Sequence, residues 1–285
     1  MNELNGYVIL TDLDGTFLGQ KGALVERNMK AVDWFKAHGG IFTFSTGRML
    51  CNIGRVIPDA GSLVNAPVVA CNGALITDLA TDTPYAEILF PHDKGWPILR
   101  YVMEHYPDLG VRVSTPQGFV TTEKMLRFPL IQRDIATCVN GHYLITDVEN
   151  WDSLKWYKFV VRGDSDVLDR LRAEVEERFS DDADFSKSGK TFFEAQSKGV
   201  TKAVMIPKLK RILEDQTDRS LTVICCGDYE NDITMLKAAD ISVCPSNAID
   251  EVKSIADYCL CSNTEGLIAD IVEMLAAKHG IDVKF

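Results

Sequence analysis

Residues 7 to 16 read YVILTDLDGT. Tyr7, Val8, Ile9 and Leu10 form a short apolar run that ends in two carboxylates and a glycine turn at Gly15. A run of this length, bounded by a turn, predicts a strand buried on both faces, as in a parallel sheet. Ligands of open α/β sheets bind beyond the carboxyl ends of the strands, so Asp12, Leu13, Asp14, Gly15 and Thr16 are expected at a site. Two aspartates two residues apart, with a glycine to bend the chain, can hold a divalent cation. One carboxylate then remains to attack or to move a proton. The same residues could equally cap a helix or form an Asx-turn. An EF-hand fails: with Asp12 and Asp14 as its third and fifth ligands, the first and twelfth would be Leu10 and Lys21.

Outward from this stretch, Leu24 to His38 reads as a helix, with Met29, Val32 and Phe35 at spacing three and Gly39-Gly40 as its stop. IFTFS, 41 to 45, reads as a second strand ending in Thr46-Gly47-Arg48, with a helix through about Ile57. Thr46 is either a helix N-cap or, with free amides at a helix start, a donor to phosphate. Val68 to Cys71 is a third strand, followed by Asn72-Gly73-Ala74. Strands alternating with helices predict an α/β fold with a doubly wound, Rossmann-like parallel sheet.

From about Thr83 the rhythm changes. A helix is expected over Asp93 to His105 with Pro97 in its first turn, then a hairpin over 110–123 and a strand over 156–161. A helix over 164–179 and two short strands complete the segment. The parallel pattern then resumes. Residues 1–82 and 192–285 are therefore expected to form the core, and 83–191 an inserted α+β domain. Ser188-Gly189-Lys190-Thr191 resembles the tail of a P-loop, but Asp184 stands where the first glycine should be and no helix follows. A helix from about Val200 to Asp215 should carry Lys202, with Pro207 kinking it or delaying its start. LTVICC, 221 to 226, leads into Gly227-Asp228-Tyr229-Glu230-Asn231-Asp232. Two further strands and an amphipathic helix, 264–279, close the chain.

The 285 residues allow a substantial core, and the composition is that of an ordinary globular protein. A net charge of −11 argues against a nucleic-acid binder. MNELNGYVIL lacks the basic n-region of a signal peptide, and no apolar run approaches a bilayer's thickness. The eight cysteines include no CxxC pair, and the five histidines form no zinc pattern. A cytoplasmic protein with reduced thiols, no membrane partner and a monomeric or weakly homo-oligomeric state is expected.

Polar groups gather at the ends of the strands: Asp12, Asp14, Thr46, Lys202, Asp228 and Asp232. Aspartates converging at one edge repel unless a cation sits among them. The stretches DLDGT (12–16), STGR (45–48), CNGA (71–74), GVTK (199–202) and GDYENDITML (227–236) resemble, in that order, the haloacid dehalogenase superfamily of phosphohydrolases. Within it they are similar to the Cof-like group with a large α/β cap, subclass IIB, as is the ending over 239–258. Ala203 stands where the group often has glycine, and Lys198 is a rival for the lysine role.

The resemblance implies roles. Asp12 would be the nucleophile that forms an aspartyl-phosphate, and Asp14 the acid and then the base. Mg2+ would be held by Asp12, the backbone carbonyl of Asp14, and Asp228, with Asp232 behind them. Thr46, Gly47, Lys202 and Asn231, with the backbone amide of Leu13, would bind phosphoryl oxygens. Arg48 would make either a salt bridge or a substrate contact. The expected substrate is a small phosphorylated metabolite, such as a sugar phosphate. The alternatives are a phosphometabolite-binding regulator and a phosphomutase or phosphotransferase.

Overall fold

In the computed structural model, which describes residues 3–136 and 143–285, fourteen strands follow one another along the chain. They are β1 (Tyr7–Thr11), β2 (Ile41–Phe44), β3 (Val68–Ala70), β4 (Leu75–Thr77) and β5 (Pro84–Glu87). Then come β6 (Gly110–Thr115), β7 (Gly118–Thr121), β8 (Tyr143–Ile145), β9 (Lys158–Arg162), β10 (Ala183–Gly189) and β11 (Phe192–Ser197). The last are β12 (Thr222–Cys226), β13 (Ile241–Pro245) and β14 (Tyr258–Leu260). The chain divides into two compact units. One comprises Met1–Thr46, Val56–Ala86 and Thr201–Phe285, and the other Gly47–Arg55 and Glu87–Val200.

The first unit is built on a parallel sheet of order β14-β13-β12-β1-β2. Val8, Ile9 and Leu10 are fully buried. That is the burial expected of a strand with helices on both faces, and it is why the run is apolar without alternation. Because the strands run the same way, Thr11 stands level with Cys226 and with Phe44, and the three following loops emerge at one edge. Asn28, buried on the helix Glu26–Ala37, donates to the Phe17 carbonyl at 3.2 Å. Its Oδ1 accepts from the amides of Ile268 and Ala269 at 3.0 and 3.3 Å. These amides begin the closing helix Leu267–Lys278, and Gly266 before it has no side chain to satisfy them.

Several sequence expectations need correction. The third strand does not join the parallel sheet as a full member. β3 begins a separate three-stranded sheet of order β3-β4-β5, tied to β2 by a single bridge between Ser45 and Val69. The chain reverses at once after Ala70 and returns as β4, antiparallel to β3. Thr46 is not an N-cap, because the next helix starts only at Leu50. Lys202 is not in a helix: residues 201–205 form turns, and the helix Ile206–Thr217 starts one residue before Pro207. The proline thus delays the helix rather than kinking it, since a residue without an N–H is tolerated in the first turn. Pro97 lies in the second turn of His92–His105, not the first.

The second unit holds a six-stranded sheet of order β10-β11-β9-β6-β7-β8. One face carries Val111, Val113, Phe159, Val161, Phe193 and Ala195. They pack with Ile98, Leu99, Val102, Leu168, Leu171 and Val175 of the helices His92–His105 and Ser165–Phe179. β11 lies in this sheet between β10 and β9, so residues 192–200 go with the second unit rather than with the parallel sheet. FFEAQS carried the signal, because apolar Phe193 and Ala195 alternate with Glu194 and Gln196, the pattern of a strand with one apolar face. Ser188 to Thr191 sit at the β10–β11 hairpin, as expected of a false P-loop.

Candidate active site

The site grows from the register of the parallel strands. The Asp12 amide continues the ladder beyond β1 by donating to the Cys226 carbonyl at 2.8 Å. The Ser45 amide does the same from β2, donating to Thr11 at 2.9 Å. Asp12 therefore leaves the sheet beside Gly227 and Asp228, which follow β12. Asp12 is 6% exposed, and Lys202 is fully buried. The Lys202 ammonium stands 2.6 Å from Asp12 Oδ1 and 2.5 Å from Asp232 Oδ1, bridging the two. Asp232 Oδ2 accepts the amides of Asp228 and Tyr229 at 3.0 and 3.1 Å. Thr16 Oγ1 donates to Asp228 Oδ1 at 2.6 Å.

Two glycines make this density possible. A Cβ on Gly15, whose φ is +84°, would lie 2.3 Å from Asp228 Oδ2. One on Gly227 would lie 2.4 Å from the Asp232 Cβ. Neither contact is compatible with a side chain, so both turns need glycine.

One carboxyl oxygen from each of Asp12, Asp228 and Asp232 can be chosen so that all lie within 4.8 Å of one another. Three carboxylates against one ammonium leave a surplus of negative charge equal to that of one divalent cation. The donors are hard oxygens, which suit Mg2+. Both Asp232 oxygens are engaged by Lys202 and by backbone amides. Asp12 and Asp228 are therefore the better ligand candidates, and Asp232 holds the lysine and the loop. Burial and crowding together raise the pKa values of two of these carboxyls, Asp12 and Asp228. Burial pushes Asp12 well above the carboxylate range, Lys202 works against it, and Asp232, Asp228 and Asp14 add to it. Burial, followed by Asp232, raises Asp228 to about 7. Burial alone would lower the Lys202 pKa, but Asp12 and Asp232 outweigh it and keep the ammonium charged.

Asp14 is exposed in the turn, whereas the Leu13 side chain is buried under it. Thr46 is 1% exposed; its amide donates to the Val69 carbonyl at 2.8 Å and its own carbonyl accepts from Asn72. Asn231 is half-buried and donates to Asn72. Gly47 belongs to the second unit, where its carbonyl accepts from Lys158 at 2.7 Å. Arg48 donates to the Asn52 carbonyl at 3.3 Å. Lys198 is just over half exposed and pairs with Asp184 at 2.9 Å. Two residues to which the sequence reading gave no role belong to the constellation. Thr16 anchors Asp228, and Asn72 lies between Thr46 and Asn231. Their motifs, DLDGT and CNGA, were visible, but which partner each side chain meets is a tertiary fact.

A family model described as haloacid dehalogenase-like hydrolase matches residues 9–272. The chain belongs to that family and is a hydrolase. It is 27% identical over 282 residues to the pyridoxal phosphate phosphatase YbhA of Escherichia coli, covering 93% of this chain and 97% of the relative. It is also 27% identical over 268 residues to the 5-amino-6-(5-phospho-D-ribitylamino)uracil phosphatase YcsE of Bacillus subtilis, covering 93% and 94%. The fold is shared with SMU.1108c of Streptococcus mutans, with a TM-score of 0.79 at 21% identity over 96% of this chain and 99% of that one.

The raised Asp228 pKa has a measurable consequence. A carboxyl whose folded pKa lies above its unfolded value favours the folded state at low pH and loses that contribution as pH rises through the folded value. With divalent cations removed by EDTA, the melting temperature should fall from about pH 4 to about pH 7, the interval between the ordinary and folded values. Asp228→Asn, neutral throughout, should fall less steeply. Parallel melting curves for parent and variant would reject this account of the cluster.

Proposed function

We propose that the protein is a Mg2+-dependent phosphomonoesterase of small phosphorylated metabolites, with sugar phosphates among them, and that it works through an aspartyl-phosphate. The observation that carries this reading is the buried Lys202 ammonium bridging Asp12 and Asp232, with Asp228 beside them and the exposed Asp14 two residues after Asp12. The names of the relatives, phosphatases of a pyridoxal phosphate and of a phosphorylated ribityl compound, support the substrate class.

In this reading Asp12 attacks phosphorus. A bond forms between its carboxylate oxygen and phosphorus as the ester P–O bond breaks. Asp14, exposed and so within reach of water, gives a proton to the departing alkoxide. It then takes one from the water that cleaves the aspartyl-phosphate and releases phosphate. Lys202 works against the effect of burial on Asp12 and so favours the anionic form that attack requires. Thr46 and Asn231, with the Leu13 amide, bind the phosphoryl oxygens. Asp12, Asp228 and the Asp14 carbonyl would hold Mg2+, whose chemistry is to neutralise charge on the phosphoryl group. Substrate choice is assigned to Glu87–Val200, the longer stretch of the second unit.

The test is a panel of phosphate esters assayed for phosphate release with Mg2+ and with EDTA. Release from sugar phosphates or similar small monoesters, lost with EDTA and restored by Mg2+, is expected. Activity indifferent to EDTA would remove the metal. A panel with no turnover but tight ester binding would favour a regulator.

A further inference from the structure

Between β3 and β4 the chain passes through three consecutive residues with left-handed backbone. These are Cys71 at φ +54°, Asn72 at +56° and Gly73 at +95°. Only the last is a glycine, and the other two are held in a region that side-chain-bearing residues adopt uncommonly. Strain of this kind persists where the surroundings over-determine it.

The surroundings here are three of the segments that carry the site. The Asn72 amide donates to the Thr46 carbonyl at 3.0 Å. The Asn72 side-chain oxygen accepts from Asn231 Nδ2 at 3.2 Å. A Cβ on Gly73 would lie 2.0 Å from the Thr201 carbonyl oxygen, next to Lys202, so the loop packs directly on that turn. Asn72 is 2% exposed, so its amide serves these contacts rather than solvent.

From this junction we infer that Asn72 is a positioning residue for phosphate binding. It acts through Asn231 and does not touch the substrate. The inference rests on the reading above, in which Thr46 and Asn231 bind phosphoryl oxygens. A primary amide has a donor end and an acceptor end. Asn72 Oδ1 engages one hydrogen of Asn231 Nδ2 and thereby fixes which end of that amide faces the site. The second hydrogen on the same nitrogen is then the donor to an anion. Without Asn72, the Asn231 amide can turn and present its carbonyl oxygen, which repels a phosphoryl oxygen. The left-handed backbone carries the asparagine to this point, and glycine is the replacement that accepts the backbone while deleting the amide.

The test compares Asn72→Gly, Asn72→Ala, Asn231→Ala, Thr46→Ala and the double variant N72G/N231A in the full-length protein with Mg2+. The readouts are the Kd for inorganic phosphate by calorimetry, kcat/KM on an ester hydrolysed by the parent, and the melting temperature. Asn72→Gly and Asn72→Ala should both weaken phosphate binding by about tenfold, the size of one hydrogen bond to an anion. Asn72→Ala should melt lower than Asn72→Gly, because it retains the backbone strain. The double variant should bind phosphate no more weakly than Asn231→Ala alone, since Asn72 acts through Asn231.

Parental phosphate affinity in both Asn72 variants would overturn the inference, as would losses that multiply in the double variant. Affinity that tracks melting temperature rather than the shared loss of the amide would also overturn it. If Thr46→Ala and Asn231→Ala both retain parental affinity, the phosphate-binding reading itself fails and the inference falls with it. Loss in those two alone would reject only the role of Asn72.

Discussion

Asp12→Asn is expected to abolish ester hydrolysis while leaving a folded protein. An amide cannot act as the anionic nucleophile, and Asp12 is the carboxylate that both follows β1 and pairs with Lys202. The fold should survive for a specific reason. Burial already disfavours the charge on Asp12, so a neutral side chain of the same shape relieves that cost, and Lys202 keeps Asp232 as its partner. In EDTA the variant should melt at or above the parental temperature at neutral pH. With Mg2+ it should lose most of the ligand-induced rise in melting temperature, because one ligand has lost its charge. Asp14→Asn should fall by about 10²–10⁴ in kcat, the usual worth of a general acid and base. Its melting temperature should change little, because Asp14 is exposed. Steady-state assays of both variants, with circular dichroism melts, decide the matter. Hydrolysis by Asp12→Asn near the parental rate would remove the covalent mechanism.

The second large effect separates two lysines four residues apart. Lys202→Ala removes a fully buried ammonium from two buried carboxylates. Taking one partner from a buried ion pair costs about 3–5 kcal/mol, on the order of 10 °C in melting temperature for a chain of this size. Turnover should be lost with it, because the ammonium that counters the rise in the Asp12 pKa is gone. Lys198→Ala removes a half-exposed ion pair with Asp184, worth about 1 kcal/mol or less. It should stay within a few-fold of the parent in kcat/KM. Paired kinetics below both melting temperatures are the measurement. A larger loss in Lys198→Ala would reverse the assignment.

The chain as a string of residues determined more of this protein than its length suggests. YVIL followed by DLDGT required a strand buried on both faces with carboxylates beyond its end. The alternation of such strands with helices required a parallel sheet. Parallel strands emerge at one edge, so Asp12 and Asp228, more than two hundred residues apart, were bound to meet there. Lys202 was preferred to Lys198 because the sequence put it just inside a helix start, whereas the structure holds it in a turn before the helix.

What the sequence left open was decided by packing at short range. Pro207 was compatible with a kink or a late start, and the turns over 201–205 are what carry the Lys202 ammonium to two carboxylates at once. β3 read as one more parallel strand, yet its three residues lead into a left-handed turn and an antiparallel return. The alternation in β11 marked a strand with one apolar face, but which sheet it joins was decided by the strands and helices that Phe193 and Ala195 pack against. The pairings of Thr16 with Asp228 and of Asn72 with Asn231 join segments far apart in the chain. Periodicity and capping rules describe neighbours within a few residues. Which buried donor meets which buried acceptor across the fold is fixed only when desolvation makes an unpaired polar group costly.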